Sequence, residues 1–492
     1  MKKGGVTIFC ILSMMLIASV LCTLIEAARF QEMKYISKLQ TELTAEAMFA
    51  KYHRTLWETY HLLGCNYNEA EDGLKKVANG RKGVNKEGLN LLYAEVCTAE
   101  VVGYTRLTDG SGGAYIKAVS SYMKENMFYE KIKEIYSQYE GLKKIKDGAG
   151  MQVENIDIAL QSFQALQESI LNQEKASKED EKEVKEEKME SPPIYTGVNP
   201  LKEASNLKNI GILELVVQDK GKLSQNKISG IHMVSQRELL RGENSIIEPI
   251  EWTDEILLQQ YLLSHLTSFS ENVKKEGLCY EIEYVIGGKT SDIENLKVVV
   301  TELLGIREVL NFLYLTSDIK KSEEAGLLAI AMVGASANPF LIETVKIGLL
   351  TAWAFGESIV DIRALLQGKR IPLLKSPESW SLQLTEIGNL LDDRYVYKGD
   401  GGGFSYKDYL GILLLFQSKK EAAMRSMDVQ EIVIRNLEGK ENFCMDELIV
   451  NAEIEIGYSY KPVFFAFSIS ENKEWGNQEI WTKARYGYDE SR

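Results

Sequence analysis

Residues 4–31 read GGVTIFCILSMMLIASVLCTLIEAARFQ, and this stretch decides the architecture. Within it, Val6 to Ile25 is twenty residues without a charge. A helix rises about 1.5 Å per residue, so this run is roughly 30 Å long, the hydrocarbon thickness of a bilayer. A helix also satisfies its own backbone hydrogen bonds, which lipid cannot do for it. Lys2 and Lys3 precede the run, and Glu26 and Arg29 close it. The sequence therefore predicts a single-pass transmembrane helix bounded by Val6 and Ile25, with the lipid bilayer as its partner. A cleaved signal peptide is the first rival, but its apolar core is normally only about 7–15 residues. Cutting after Ala28 would place Glu26 where a small residue belongs. A lipoprotein signal ending at Cys22 has Leu21 in a position that wants a small side chain. Basic residues flank both sides, with Lys2 and Lys3 before the run and Arg29, Lys34 and Lys38 after it, so charge alone does not orient it. The N-terminal tail offers little to translocate. The expectation is a cell-membrane protein with its N-terminus in the cytoplasm and its bulk outside.

The helix is expected to continue past the bilayer. Phe30, Met33, Ile36, Leu39 and Leu43 recur at three- and four-residue steps, followed by Ala47 and Ala50, which is an amphipathic stripe. Neither Gly nor Pro occurs from residue 6 to 63, so Gly64 is the first expected stop. One long helix, half in lipid and half under a folded body, is the shape of pilin-like subunits. The plainer alternative is an anchor followed by an ordinary core helix.

The remainder reads as α+β and helix-rich, with mixed helix and antiparallel strand. With 45% hydrophobic and 26% charged residues among 492, the chain can bury a sizeable core. A formal net charge of −14, with no segregated basic patch, argues against nucleic acid as a partner. The expected regions are the anchor at 1–28, a helical and mixed region at 29–171, a charged linker at 172–199, an α+β domain at 200–465 and a tail at 466–492. The linker begins NQEKASKEDEKEVKEEKMES and ends its helical potential at Pro192 and Pro193. Strands are predicted at Glu95–Leu107 with a bulge near Val101 and Val102, at Leu213–Val217, at Tyr280–Ile286 and at Leu448–Tyr460. Asp109–Gly113 reads as a turn, with helix resuming from Ala114 through Ile135. Thr253 is expected to cap a helix reaching about Phe269, and Ser291 with Glu294 to form a capping box. The apolar stretches 326–341 and 342–366 are expected to form a buried helical pair. Glu343, Lys346, Glu357, Asp361 and Arg363 would be expensive in lipid.

The search for chemistry yields little. Glu357 and Asp361 lie four residues apart on one helix face. Paired carboxylates suit acid–base work, but partnering with basic residues on neighbouring elements explains them equally and is preferred. The four histidines, at 53, 61, 232 and 265, form no HxxxH pair. No CxxC occurs, so no metal site or cofactor is expected. Cys65 and Cys97 are candidate disulfide partners, with buried free thiols as the alternative. Lys398-Gly399-Asp400-Gly401-Gly402-Gly403 lacks the Lys-Ser/Thr of a phosphate loop. Ser405 and Asp408 more simply cap the helix that follows. With no catalytic motif, the chain is not expected to be an enzyme.

Several long segments, in order, resemble an uncharacterised family of single-anchor proteins. Its members carry a domain of unknown function and are encoded beside tight-adherence (Tad) pilus genes in Gram-positive bacteria. The segments are residues 4–31 quoted above, VVGYTRLTDG at 101–110, SDIENLKVVVTELLGIREVLNFLYL at 291–315, LIETVKIGLLTAWAFGESIVDIRALLQGKRIPLLKS at 341–376, FSYKDYLGILLLF at 404–416 and the strand at 447–460. The resemblance implies a non-enzymatic, minor-pilin-like envelope component whose partners are pilus or secretion-system membrane proteins. It supplies no catalytic or binding residues. One feature departs from type IV-like prepilins. Gly4 and Gly5 are followed by no acidic residue before Glu26, so prepilin-peptidase processing is not implied. An anchored envelope enzyme using Glu357 and Asp361, or an anchored ligand-binding or sensor domain, are the alternative functions.

Overall fold

The alternation at Leu448–Tyr460 and the long helical runs elsewhere appear directly in a computed structural model. It describes residues 3–80, 92, 94–126, 197, 199–228, 233–245, 247–271, 273, 275–334, 338–391, 397–399, 401–464 and 478–488. The helices, in chain order, are α1 (Lys3–Phe49), α2 (Arg54–Tyr60), α3 (Tyr67–Gly80), α4 (Asp109–Asn126), α5 (Pro200–Lys208), α6 (Ile212–Val216), α7 (Trp252–His265), α8 (Glu281–Gly287), α9 (Asp292–Ser317), α10 (Ile319–Val333), α11 (Pro339–Leu366), α12 (Tyr406–Phe416) and α13 (Lys419–Glu438). The strands are β1 (Cys65–Asn66), β2 (Glu95–Arg106), β3 (Leu448–Tyr460) and β4 (Gln478–Gly487). The fold is α+β and helix-rich. The linker quoted from residue 172 and the helix expected at 127–135 lie outside the described residues.

The chain forms two units, each assembled from separated segments. The first comprises Met1–Met127, Ile231–Leu258 and Met427–Arg492. Its centre is an antiparallel sheet in which β3 pairs with β1, β2 and β4. The expected bulge is present, as a register shift between Val101 and Gly103, and two more shifts occur along β2. β4 comes from the segment read as a tail. One sheet face packs under α1: Met33, Ala45, Met48 and Phe49 share a core with Ile449, Ile454, Ile456 and Tyr458. The Thr41 hydroxyl lies 2.6 Å from that of Thr482 and 3.1 Å from that of Tyr458, which fixes the helix's register on the sheet.

The expected stop at Gly64 comes too late, since α1 ends at Phe49. A new helix starts where His53 Nδ1 accepts the Leu56 N–H and His53 N–H donates to the Gly64 carbonyl. A local cap thus breaks the helix without glycine or proline. The expected turn at Asp109–Gly113 is a left-handed one, with φ of +66° at Gly110, +57° at Ser111 and +86° at Gly112. A side chain at Gly110 would meet Ile247 Cδ1 at 2.8 Å, so both space and backbone favour glycine there. α7 begins at Trp252, before Thr253, and ends at His265. Asp254 Oδ2 accepts the Glu251 N–H at its start.

The second unit comprises Phe128–Gly230 and Gln259–Ser426. α9, α10 and α11 pack together, and α11 is buried along most of its length from Val345 onward. A helical pair was expected at 326–366 and both helices are present, but only the second is buried, because Leu327 and Ile330 on α10 are exposed. Ser291 and Ser405 cap α9 and α12 as expected. Two expected strands are helices. Tyr280–Ile286 alternates apolar and acidic residues, but Glu281 and Glu283 are buried along with Ile282 and Tyr284, so no wet face exists. Glu281 Oε2 accepts the Thr267 N–H, Glu283 Oε1 accepts the Phe269 N–H, and Gly288 at φ +62° ends the turn. Leu213–Val217 forms the short α6, where the Leu215 carbonyl accepts Arg363 Nε instead of a neighbouring strand.

Burial predicts the stability cost at the first unit's core. Phe49 is 2% exposed and rests on the rings of Tyr486 and Tyr488. Phe49→Ala is expected to destabilise this unit by about 3–5 kcal/mol in denaturant titrations of the detergent-solubilised chain. Leu39→Ala, at a half-exposed site on the same helix, should change stability by less than about 0.5 kcal/mol.

Candidate functional site

The first candidate is the bare half of α1. Val6, Phe9, Met14 and Leu24 are between 61% and 72% exposed, whereas Met33 on the same helix is 1% exposed. Among the described residues, this is the one helix long and apolar enough to cross a membrane. The change of environment is abrupt. Glu26 and Arg29 are both buried, and Arg29 Nη1 donates to Glu26 Oε1 at 2.7 Å. Glu26 Oε2 accepts the backbone N–H groups of Val463 and Phe464, just beyond β3. The Arg29 guanidinium lies 5.9 Å from the Tyr460 ring centroid, and Phe30 also contacts that ring. The first charges after the apolar run are therefore spent on a collar that ties the helix to the end of β3.

The second candidate surrounds Glu357 and Asp361, which α11 places on one face within the second unit. Both are fully buried. Arg307 from α9 donates from Nε and Nη2 to Asp361 Oδ2, at 3.0 and 2.8 Å, and from Nη1 to the Pro372 and Leu373 carbonyls. Lys375 Nζ lies 2.6 Å from both Glu357 Oε1 and Asp361 Oδ1. Glu357 also accepts the N–H groups of Ser381 and Leu382. Two carboxylates thus meet two cations, and the backbone of 372–382 is held against α11 by the same groups. Burial works to raise the Asp361 carboxyl, but the adjacent Arg307 and Lys375 outweigh it and hold the pKa below its ordinary value. Burial raises that of Glu357, Lys375 opposes the rise, and the Asp361 charge adds to it. No face of either carboxylate is open to a substrate. The arrangement is chemically a clamp.

Sequence reading found the two carboxylates but not their cations. Arg307 lies in the apolar run of α9, and an arginine in such a run is the signal that could have located it. Lys375 sits in an irregular segment and carries no such signal.

Other candidates resolve differently. Cys65 pairs opposite Ile449, whereas Cys97 lies near Gly457 on the same partner strand. That separation is roughly 26 Å along β3, far beyond the ~7 Å a disulfide tolerates, so the expected pairing is corrected to two free thiols. Cys65 donates to the Met48 carbonyl, and burial pushes its thiol up to about 11. Cys10 and Cys22 lie on α1. Among the described residues, Glu431, Cys444 and Asp446 lie close enough to share a metal ion. Arg237 already donates to both carboxylates and Arg435 to Glu431, so positive charge fills the site. A cleft of about 670 Å³ in the first unit is lined by Lys51, His53, Asn66, Glu438, Lys440 and Phe443. His53 is committed there, with Nδ1 capping α2 and Nε2 3.3 Å from Glu438. The glycines near 401–403 form a loop in which Phe404 pairs with Ile371.

Glu283 is the remaining buried acid of note. It accepts the Tyr406 hydroxyl at 2.9 Å, and burial pushes its carboxyl up to about 7, with Asp292 adding to the rise.

Residues 185–460, more than half of the chain, match the model of a family of unknown function, DUF5702, and the protein belongs to that family. No curated protein and no solved structure matches the chain.

Two outcomes follow for the second unit. Asp361→Ala leaves Arg307 and Lys375 buried without their shared counter-charge, and should cost about 3–5 kcal/mol by thermal or denaturant unfolding. Glu283, with an ordinary pKa of 4.5, stays protonated in the folded chain to about pH 7. The stability it confers is complete below pH 4.5 and lost as pH rises through 7. Glu283→Gln should flatten that part of the pH–stability profile, measured by melting between pH 4.5 and 8.

Proposed function

We propose that this DUF5702 protein is a membrane-anchored, extracytoplasmic, non-enzymatic component of a tight-adherence pilus-like or secretion assembly. The supporting observation is the division of α1. Its first half is apolar and unburied by the protein, while its second half packs on an antiparallel sheet. A helix of this kind has one half for lipid or neighbouring membrane helices and one half for its own body. That is the working geometry of pilin-like subunits, which assemble through such helices. The segment resemblances to a family encoded beside Tad pilus genes support the choice of machine. The closed, internally neutralised cluster at Glu357 and Asp361 supports a structural use of those acids over catalysis.

The orientation proposed is N-terminus in the cytoplasm and both folded units outside. The partners are membrane proteins of the assembly, reached laterally through the bare half of α1.

Two measurements test the proposal. Mild detergent extraction followed by affinity purification of the full-length protein should recover pilus or secretion components. Deletion of the gene should impair piliation. A protein that purifies alone, from a strain whose deletion mutant makes normal pili, contradicts the assignment. Leu16→Arg combined with Ile17→Arg should move the protein out of the carbonate-resistant membrane fraction while leaving the melting of the folded units unchanged.

A further inference from the structure

The buried cluster around Glu357 holds the parts of a condensation reaction as well as those of a clamp. Lys375 Nζ donates to Glu357 Oε1 at 2.6 Å and lies equally close to Asp361 Oδ1, and none of the three side chains is exposed. The Lys375 ammonium also donates to the Ser379 carbonyl at 2.9 Å and stands 4.8 Å from the Tyr397 ring centroid. Glu357 Oε2 accepts two backbone N–H groups, from Leu382 at 2.8 Å and from Ser381 at 3.2 Å. Arg307 occupies the Oδ2 oxygen of Asp361. Asp361 Oδ1, although close to Lys375, accepts no aligned hydrogen bond and so keeps a lone pair unspent.

We propose that Lys375 and Glu357 join in an intramolecular isopeptide bond, Nζ to Cδ, with loss of one water. The proton in the hydrogen bond from Nζ to Oε1 passes to the carboxylate, leaving a neutral amine beside a neutral acid. The amine lone pair attacks Cδ, and the carbonyl electron pair moves to Oε2, where the Leu382 and Ser381 N–H groups stabilise it. Asp361 Oδ1 takes a proton from the bonded nitrogen and returns it to Oε1. The Cδ–Oε1 bond then breaks, Oε1 leaves as water, and Asp361 is again a carboxylate. Nothing is oxidised or reduced. Burial favours the product, because the amide removes one cation and one anion from a site that solvates neither. Arg307 and Asp361 remain, so the cluster stays neutral. Fixing the amine against the acid also replaces an encounter in solution, an advantage equivalent to roughly 10⁵–10⁸ M in well-oriented cases. The bond would tie α11 covalently to the irregular segment carrying Lys375, eighteen positions further on. Every residue involved lies in the second unit, so the bond is independent of the membrane anchor.

The test is tandem mass spectrometry of the full-length protein, extracted in detergent, denatured and digested with trypsin. The expected result is a peptide pair joined through Glu357 and Lys375, one water lighter than the sum of its parts, with no cleavage after Lys375. Lys375→Arg keeps the positive charge but should lose the joined pair. In the folded fraction of Asp361→Asn, linkage should fall severalfold, which a purely ionic role for Asp361 would not produce. Cleavage after Lys375, with the Glu357 and Lys375 peptides recovered separately at full mass from the wild-type chain, overturns the inference. A bond from Lys375 to Asp361 instead, or full linkage in folded Asp361→Asn, overturns the roles given to the two acids.

Discussion

The docking of the second half of α1 on β3 and β4 is the contact on which the first unit depends. It joins residues near position 40 to strands more than four hundred positions later, through the Thr41, Tyr458 and Thr482 hydroxyls and the Met33–Phe49 core. Once that contact forms, the direction of the bare half of the helix is fixed relative to the sheet. The Glu26–Arg29 collar then sets where protein packing ends. The pair binds the backbone just beyond β3 and stands where the unburied apolar half of α1 gives way to its packed half.

The second unit solves a different problem. Its longest helix among the described residues, α11, is apolar and buried from Val345 onward, yet it carries two acids in that buried part. Those acids are neutralised within the unit by Arg307 and Lys375; Glu357 also accepts the backbone N–H groups of Ser381 and Leu382, and Asp361 accepts Asn311 Nδ2. Buried ionic groups rarely add stability over a well-packed apolar core, but removing one member is costly. The cluster therefore specifies how the irregular 372–382 segment lies, more than it strengthens the unit. Where α11 emerges from this cover, its first turn and the end of α10 are apolar without any acid to neutralise.

Legibility in the sequence followed the range of the interactions. The long apolar N-terminal helix, the 448–460 strand, the β2 bulge and the helix caps at Ser291 and Ser405 all rest on neighbours within a few positions, and all were readable. The failures have a common cause. Tyr280–Ile286 has a strand's alternation, but Thr267, Phe269 and Tyr406 supply donors to its glutamates from elsewhere in the chain. A polar position that finds such partners ceases to mark a wet face, and the period-2 signal loses its meaning. The break after Phe49 depends on a histidine cap, a residue not usually read as one. Likewise, the acids of the buried cluster were visible by spacing, while their cations, 14 or more positions away, were not. The two cysteines looked close because both lie in one region, and the sheet register separates them.

The central claim is that residues 6–25 lie in lipid with the folded mass outside the cell. The native cysteines provide its most direct measurement, because Cys10 and Cys22 sit on the apolar segment and Cys97 is exposed on β2. Intact protoplasts treated with a membrane-impermeant maleimide should show labelling at Cys97 and none at Cys10 or Cys22. Cys10 should become reactive only after detergent and denaturation. Labelling of Cys10 in intact protoplasts, or a Cys97 that reacts only after lysis, would contradict the account.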